Sequence, residues 1–401
     1  MLATIAFVLA LALGPFVAFR AYAHRVESTD ASVEDRLHRL NRVQQGGGFV
    51  LPIAAVIGLH LLELVERTTD AVGAMGPELF GIGVLEFAVI TVVSFGLAAL
   101  PLVSMALGTY PTVRSLRDTS ASPWRIAKGV LAVMGIVAVT AAISIGGFLA
   151  FLSTVDPSLP LLVGGFAVLV AAVYGLSPYL IAVFQDRVPL EGDDRERVER
   201  LCRELGYRPR GLYLLEGEST KTANALVAGT VPGFRYVFLT DYLLAECDDD
   251  ELRAILAHEF GHVAGRHLWQ RSLLTVAVFG GWMVGFEPLG IGALEERFGF
   301  LGIFLPLMAL FALYQVVLLG GLARWQEFRA DAYAARQAGR DATLAALETL
   351  ADANDTRRDA GLLYTLATQH PSIDDRLEAV RDAGGRDGDD GADRPPVAPT
   401  E

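Results

Sequence analysis

The stretch that decides the fold is Asp248-Asp249-Asp250-Glu251-Leu252-Arg253-Ala254-Ile255-Leu256-Ala257-His258-Glu259-Phe260-Gly261-His262. Its four acids supply a cap and an acidic first turn. Leu252, Ile255, Leu256 and Val263 then recur at helical spacing. A helix is therefore expected here, and it carries H-E-x-x-H. Histidines at i and i+4 lie on one helical face, one turn apart, so both rings can reach one metal ion. Glu259 follows the first of them and can stand beside the activated water without ligating, which is where a general base belongs. The alternative is a surface helix with two incidental histidines.

Outward from this helix the chain turns apolar. Of the 401 residues 52% are hydrophobic and 20% charged, before 41 glycines are counted. That is too apolar for one soluble globule, and it excludes a disordered, collagenous or disulfide-scaffold chain. Two cysteines, Cys202 and Cys247, make no disulfide framework. Seven stretches approach the ~20 apolar residues needed to span a bilayer. They cover 2–19, 49–66, 78–108, 127–152, 159–184, 273–293 and 299–323. The expected fold class is mainly α: a seven-helix integral membrane protein with a cytoplasmic α+β zinc-metalloprotease domain. That domain is built from the insert between spans five and six together with the C-terminal region.

The expected organisation is a five-span membrane part over 1–184 and a catalytic insert over 185–272. A two-span hairpin over 273–323 follows, then a C-terminal catalytic part over 324–383 and a disordered acidic tail over 384–401. In the insert, 193–205 reads as an amphipathic helix and 211–216 as a strand. Residues 223–229 and 234–240 flank the turn signal Thr230-Val231-Pro232-Gly233 and read as a hairpin.

Charge sets orientation and partners. Arg20, Arg25, Arg36, Arg39 and Arg42 fill the first loop, and Arg114, Arg117, Arg125 and Lys128 surround the third, whereas the even loops are poor in basic residues. The positive-inside rule then places the N-terminus outside, with the insert and C-terminus in the cytoplasm. Ala21-Tyr22-Ala23 resembles a signal cleavage site, but no basic residue precedes the apolar stretch. Net charge is −13, concentrated in the two polar regions, which argues against nucleic-acid partners. The expected partners are protein or peptide substrates and the lipid bilayer. Only Lys128 and Lys221 are lysines. An acidic, lysine-poor composition fits a halophilic archaeon, with GC-rich codon usage as the alternative.

One Zn²⁺ per chain is the expected cofactor, and it needs a third protein ligand. His267 lies five residues past His262, one short of a metzincin spacing, and about 100° off the required face of an ideal helix. It reads rather as a polar helix-end histidine. Glu327 is the better candidate, in Glu327-Phe328-Arg329-Ala330-Asp331. Asp331 sits at i+4 and could accept the second ring N–H of a ligating histidine. Spans six and seven form an antiparallel pair that returns Glu327 to the side of the histidines. A solvated charged face is the alternative. Ionisable residues within spans are His60, Glu63, Glu66, Glu86 and Glu287. They would line a wet cavity, pair, or lie at the interface.

The chain resembles the membrane zinc metallopeptidases (gluzincins) that include CAAX prenyl proteases and HtpX-like heat-shock proteases. The likeness rests on Ser219 to Ala225, Arg235 to Asp241, Ala257 to His262, Glu327 to Asp331, and His370-Pro371-Ser372 with Arg376. It implies Glu327 as the third ligand, and His370 as a donor near the scissile carbonyl. It implies Asn224 and Ala225 as part of an edge that receives substrate, and Arg376 as a local ion-pair partner. The five-plus-two span layout resembles the CAAX-protease branch, whose seven helices enclose a chamber. The expected function is membrane-integral, zinc-dependent endopeptidase action on membrane-associated proteins or peptides at the cytoplasmic face, in the manner of protein quality control. The alternatives are CAAX-type processing of prenylated proteins, and a non-enzymatic scaffold or transporter with a vestigial metal site.

Overall fold

The computed structural model describes residues 2–64, 67, 78–79, 82–142, 158–184, 186–229, 233–286, 288–356 and 370–383. The chain forms two compact units that interleave in sequence. One holds residues 1–165, 180–185 and 219–221. The other holds 166–179, 186–218 and 222–401. The insert, the later apolar hairpin and the C-terminal region thus fall largely in one unit.

The first unit is built from helices α1 (Leu2–Glu27), α2 (Val33–Leu61), α3 (Val84–Arg117) and α4 (Pro123–Ala141), with a short ribbon of β1 (Glu78–Leu79) and β2 (Ile82–Gly83) before α3. Leu11, Ala55 and Ala98 form one small core, and Ala23, Val26 and Leu40 another. Polar side chains also join these helices: Gln44 Nε2 donates to Thr109 Oγ1 at 2.5 Å, and Arg20 Nη1 to Thr112 Oγ1 at 3.3 Å. The expected first loop is largely helical. Helix α2 starts at Val33, well before the predicted span, because Leu37 and Leu40 bury one face of an otherwise charged stretch. Helix α5 (Leu159–Phe184) follows.

The second unit contains a four-stranded sheet of order β3-β4-β6-β5, from β3 (Arg187–Pro189), β4 (Gly211–Leu215), β5 (Ala225–Ala228) and β6 (Tyr236–Thr240). β4 and β6 run parallel, while β3 and β5 pair antiparallel with their neighbours. The expected hairpin is therefore β5–β6, with Val227 opposite Val237; its turn residues Thr230, Val231 and Pro232 lie outside the described residues. Helix α6 (Gly192–Glu204) covers the sheet through Val198, Leu201 and Cys202. After the short α7 (Asp241–Glu246) comes α8 (Asp249–Ala264), which is the H-E-x-x-H helix. Asp248 accepts from the Glu251 N–H, and Glu251 accepts from the Asp248 N–H, so a capping box fixes its start. Leu252, Leu256 and Phe260 are buried against Val198, Leu201 and Leu239. Phe260 stacks on Tyr207 with ring centroids 3.9 Å apart.

Helix α9 (His267–Gly285) follows at once, then α10 (Ile291–Phe298) and α11 (Phe300–Leu313). The sixth predicted span thus ends at Gly285. A wider π turn over Tyr314–Leu319 leads into α12 (Gly320–Ala338). Helices α13 (Arg340–Ala353) and α14 (Ile373–Ala383) complete the unit.

Among the described residues, four helical stretches are long and apolar enough to cross a membrane: Leu2–Glu27, Ile90–Arg117, Pro123–Thr140 and Leu301–Ala338. Leu159–Gly175 is a shorter apolar helix. Glu63 pairs with Arg67 at 3.4 Å. Glu66, Glu287, the side chains of His60 and Glu86, and the tail from residue 384 lie outside the described residues.

Candidate metal centre

Two helices bring the ligand candidates together. Helix α8 carries His258 and His262, and α12 carries Glu327. They cross at Gly261, where an added Cβ would stand 3.1 Å from Ala330 Cα and 3.2 Å from Tyr333 Cβ. The glycine between the two histidines is what lets the helices approach this closely. The π turn precedes Glu327 on the same helical run, and Tyr314 in it meets Thr275 of α9 at 2.7 Å. A π turn adds a residue and rotates the helix beyond it, so it sets the face on which Glu327 emerges.

His258 Nε2 and His262 Nε2 are 3.2 Å apart. Glu327 Oε2 lies 3.6 Å from His258 Nε2, and Oε1 lies 3.4 Å from His262 Nε2. Donors bound to zinc at about 2.0–2.2 Å in a tetrahedron lie about 3.4 Å from one another. The three separations therefore fit a single zinc ion, and the donor set of two imidazoles and one carboxylate suits it. These three residues form the metal-ligand cluster found among the described residues.

The far side of each ring is also held. His258 Nδ1 is 2.8 Å from Asp331 Oδ1. Arg376 on α14 grips Asp331 with two bonds, Nη2 to Oδ1 at 2.6 Å and Nε to Oδ2 at 2.8 Å. It is thus a bidentate clamp reaching to 3.8 Å of Glu327, more than the local ion pair the resemblance implied. Burial works against a charged His258 imidazole, but the Asp331 and Glu327 carboxylates outweigh it and hold its pKa up at about 9. Burial, with His258 beside it, pushes His262 down to about 3.

His267 lies outside the ligand cluster and at a helix end, as its spacing suggested, but it is not solvated. It is 2% exposed, and its Nδ1 lies 2.8 Å from His262 Nδ1. The helix breaks before it: Arg266 is left-handed at φ 54°, and His267 starts a new helix. Its ring folds back over Gly265, where an added Cβ would collide with Nε2. An ideal-helix projection misses this because it assumes no break.

Glu259 is half-buried beside the ligands, and its Oε2 accepts the Val227 main-chain N–H at 3.3 Å. Burial raises its affinity for a proton, against the opposing pull of His258 and the Val227 N–H. Strand β5 is one of the sheet's two outer strands. Asn224 pairs with Thr240 of β6: the Thr240 N–H donates to the Asn224 carbonyl at 3.0 Å, and the Asn224 N–H donates to Thr240 Oγ1 at 3.0 Å. Alternation then turns the main-chain groups of Ala225 and Val227 outward, toward Glu259. Asn224 has an exposed side chain at the start of this edge. His370 is 67% exposed in its side chain, and its Nδ1 lies 3.1 Å from Glu327 Oε2. The structure thus brings His258, Glu259, His262, Glu327, Asp331, His370 and Arg376 together with the β5 edge, while Gly261, Gly265, Val227 and the partnership of His267 were not foreseen.

Two imidazoles, a carboxylate and a neighbouring glutamate beside a strand edge make this a candidate metallopeptidase centre. The model of Peptidase family M48 matches residues 191–383. Protease HtpX of Pseudomonas paraeruginosa is 30% identical over 214 residues, covering 46% of this chain and 70% of the relative. This chain belongs to peptidase family M48. A CAAX prenyl protease 1 homolog of Arabidopsis thaliana is 29% identical over 220 residues, covering 51% of each, so the chain spans about half the length of that relative. The crystal structure of S. mikatae Ste24p shares the fold with a TM-score of 0.64 at 17% identity, over 94% of this chain and 98% of that one.

Proposed function

We propose that the protein is a membrane-integral zinc endopeptidase, with His258, His262 and Glu327 as the metal ligands. The observation that carries this reading is the convergence of three donors at 3.2–3.6 Å with a half-buried glutamate and the outer edge of β5 beside them. Bound there, zinc would lower the pKa of a water toward ~7 and polarise the scissile carbonyl. Glu259 takes the proton of that water as the new C–O bond forms, and delivers it to the leaving amine as the C–N bond breaks. Asp331 and Arg376 hold His258, and His267 holds His262, each in the tautomer that leaves Nε2 for the metal. The Ala225 and Val227 edge receives an extended peptide by main-chain hydrogen bonds, with the Asn224 side chain at its start. His370, whose exposed side chain lies 3.1 Å from Glu327, would donate to the carbonyl oxygen and stabilise its developing charge.

The substrates we infer are membrane-associated proteins or peptides met at the cytoplasmic face, under a layout of seven spans with the N-terminus outside. The helix Leu301–Ala338 supports this depth. Its first 20 residues cover the ~30 Å hydrocarbon core, and Glu327 lies about 10 Å beyond them. The exposed Trp269 and Trp325 flank the site, as expected at a membrane–water interface.

Glu259→Gln tests the mechanism. It should abolish cleavage of a casein-type substrate while zinc stays bound, and chelator should abolish cleavage by the parent chain. Full activity of the variant would remove Glu259 as the base. Comparing matched peptides with and without an isoprenoid separates this reading from CAAX-type processing.

A further inference from the structure

The outward edge of β5 does not run on indefinitely. Asn224 faces β6 and exchanges bonds with Thr240 there. By alternation the main-chain groups of Ala223 face outward, on the same side as those of Ala225 and Val227. Both are taken. The Ala223 N–H donates to Asn354 Oδ1 at 3.0 Å, and Asn354 Nδ2 donates to the Ala223 carbonyl at 2.9 Å. One side-chain amide thereby reproduces the pair of bonds that a neighbouring strand would make. Asn354 is itself fixed, since Nδ2 also donates to the Leu350 carbonyl at 3.0 Å and its main-chain N–H closes the end of α13. It stands where the next paired residue of a guest peptide would have to go.

At the other end of the edge Glu259 accepts the Val227 N–H. Between the base and Asn354 lie the guest positions opposite Leu226, Ala225 and Asn224, about 10 Å of strand. An antiparallel guest is the arrangement β5 already has with β6, and antiparallel pairs outnumber parallel ones. In that direction the guest residues running from the base toward Ala223 are those on the C-terminal side of the scissile bond.

We propose that Asn354 is an end-stop of the substrate edge, limiting main-chain pairing on the C-terminal side of the scissile bond to about three residues. The proposal rests on the peptidase reading for the position of the scissile bond, and it adds a rule of substrate choice. Peptides with short C-terminal remainders, or whose chain turns away after about three residues, fill the edge completely. Longer extended ones gain nothing from their length on that side.

The test uses the full-length, zinc-loaded protein in detergent and one cleavable peptide. One series carries one to eight residues after the scissile bond, and a second is extended on the N-terminal side. Two quantities are read: kcat/KM by mass spectrometry of the products, and Kd by fluorescence anisotropy in the Glu259→Gln background, which needs no hydrolysis. The parent chain should stop gaining in both readouts beyond about three C-terminal residues. Asn354→Gly should continue to gain, by about threefold or more from three to six residues, as two more main-chain bonds form. Asn354→Asp, which keeps the bulk of the side chain, should keep the stop. A profile identical in parent and Asn354→Gly overturns the proposal, as does a limit on the N-terminal side, or an absence of binding by every peptide. Binding with the predicted profile but no hydrolysis by the parent chain sinks the peptidase reading alone.

Discussion

Asp331→Asn separates two jobs that one carboxylate performs. The residue is 1% exposed, bonds His258 Nδ1 at 2.8 Å and receives two Arg376 bonds at 2.6 and 2.8 Å. Asparagine has nearly the same shape but no charge. At the metal, loss of such a supporting carboxylate costs about 10–100-fold in affinity. At one tenfold per 1.36 kcal/mol, that is about 1.4–2.7 kcal/mol. In the fold, the Arg376 guanidinium, 12% exposed, loses its charge partner. Breaking a buried pair from one side costs about 3–5 kcal/mol, and the amide oxygen that remains keeps the expected loss near the lower end. The assays are zinc affinity by chelator competition and thermal unfolding, each with and without zinc. Arg376→Gln in the same background should recover part of the stability, because no uncompensated charge is left, but none of the zinc affinity. A zinc affinity within twofold of the parent would refute the claim that Asp331 supports His258 as a ligand.

Two other positions make sharp predictions. Gly261→Ala should destabilise by about 1–3 kcal/mol through overpacking, because its Cβ would meet Ala330 and Tyr333 at 3.1–3.2 Å; it should also weaken zinc binding by parting α8 from α12, and equal affinity in variant and parent would discount the crossing. His267→Phe should fill the same space yet lower zinc affinity about tenfold through loss of the 2.8 Å bond to His262, with partial recovery in His267→Asn. The cobalt-substituted visible spectrum should shift in the Phe variant, and an unshifted spectrum with unchanged affinity would make His267 a packing residue only.

How far these features could be read from sequence depends on how local their causes are. The H-E-x-x-H helix and its capping box were legible because Asp248, Glu251 and the apolar spacing act within single turns. The β5–β6 hairpin was legible from its turn chemistry. Glu327 was harder: the i, i+4 pairing with Asp331 suggested it, but a charged surface helix has the same pattern, and the family resemblance was needed to favour the ligand reading. His267 was read as a helix-end histidine outside the ligand set, and it is the first residue of α9 and outside the ligand cluster; its bond to His262 was not foreseen, because the break at Gly265 and Arg266 that turns its ring back leaves no mark in helical spacing. Gly261 gave no signal, since its importance lies in the approach of a helix some 70 residues later. The start of α2 was missed for a related reason: Leu37 and Leu40 are sparse apolar positions that matter only once a neighbouring helix covers them.

Zinc K-edge X-ray absorption of the purified protein tests the central claim most directly. Two imidazole nitrogens, the Glu327 carboxylate and one water should give a shell of four light donors at about 2.0–2.2 Å, and Glu327→Ala should lose a donor or the metal. A sulfur shell near 2.3 Å, or a Glu327→Ala spectrum identical to that of the parent, would contradict it.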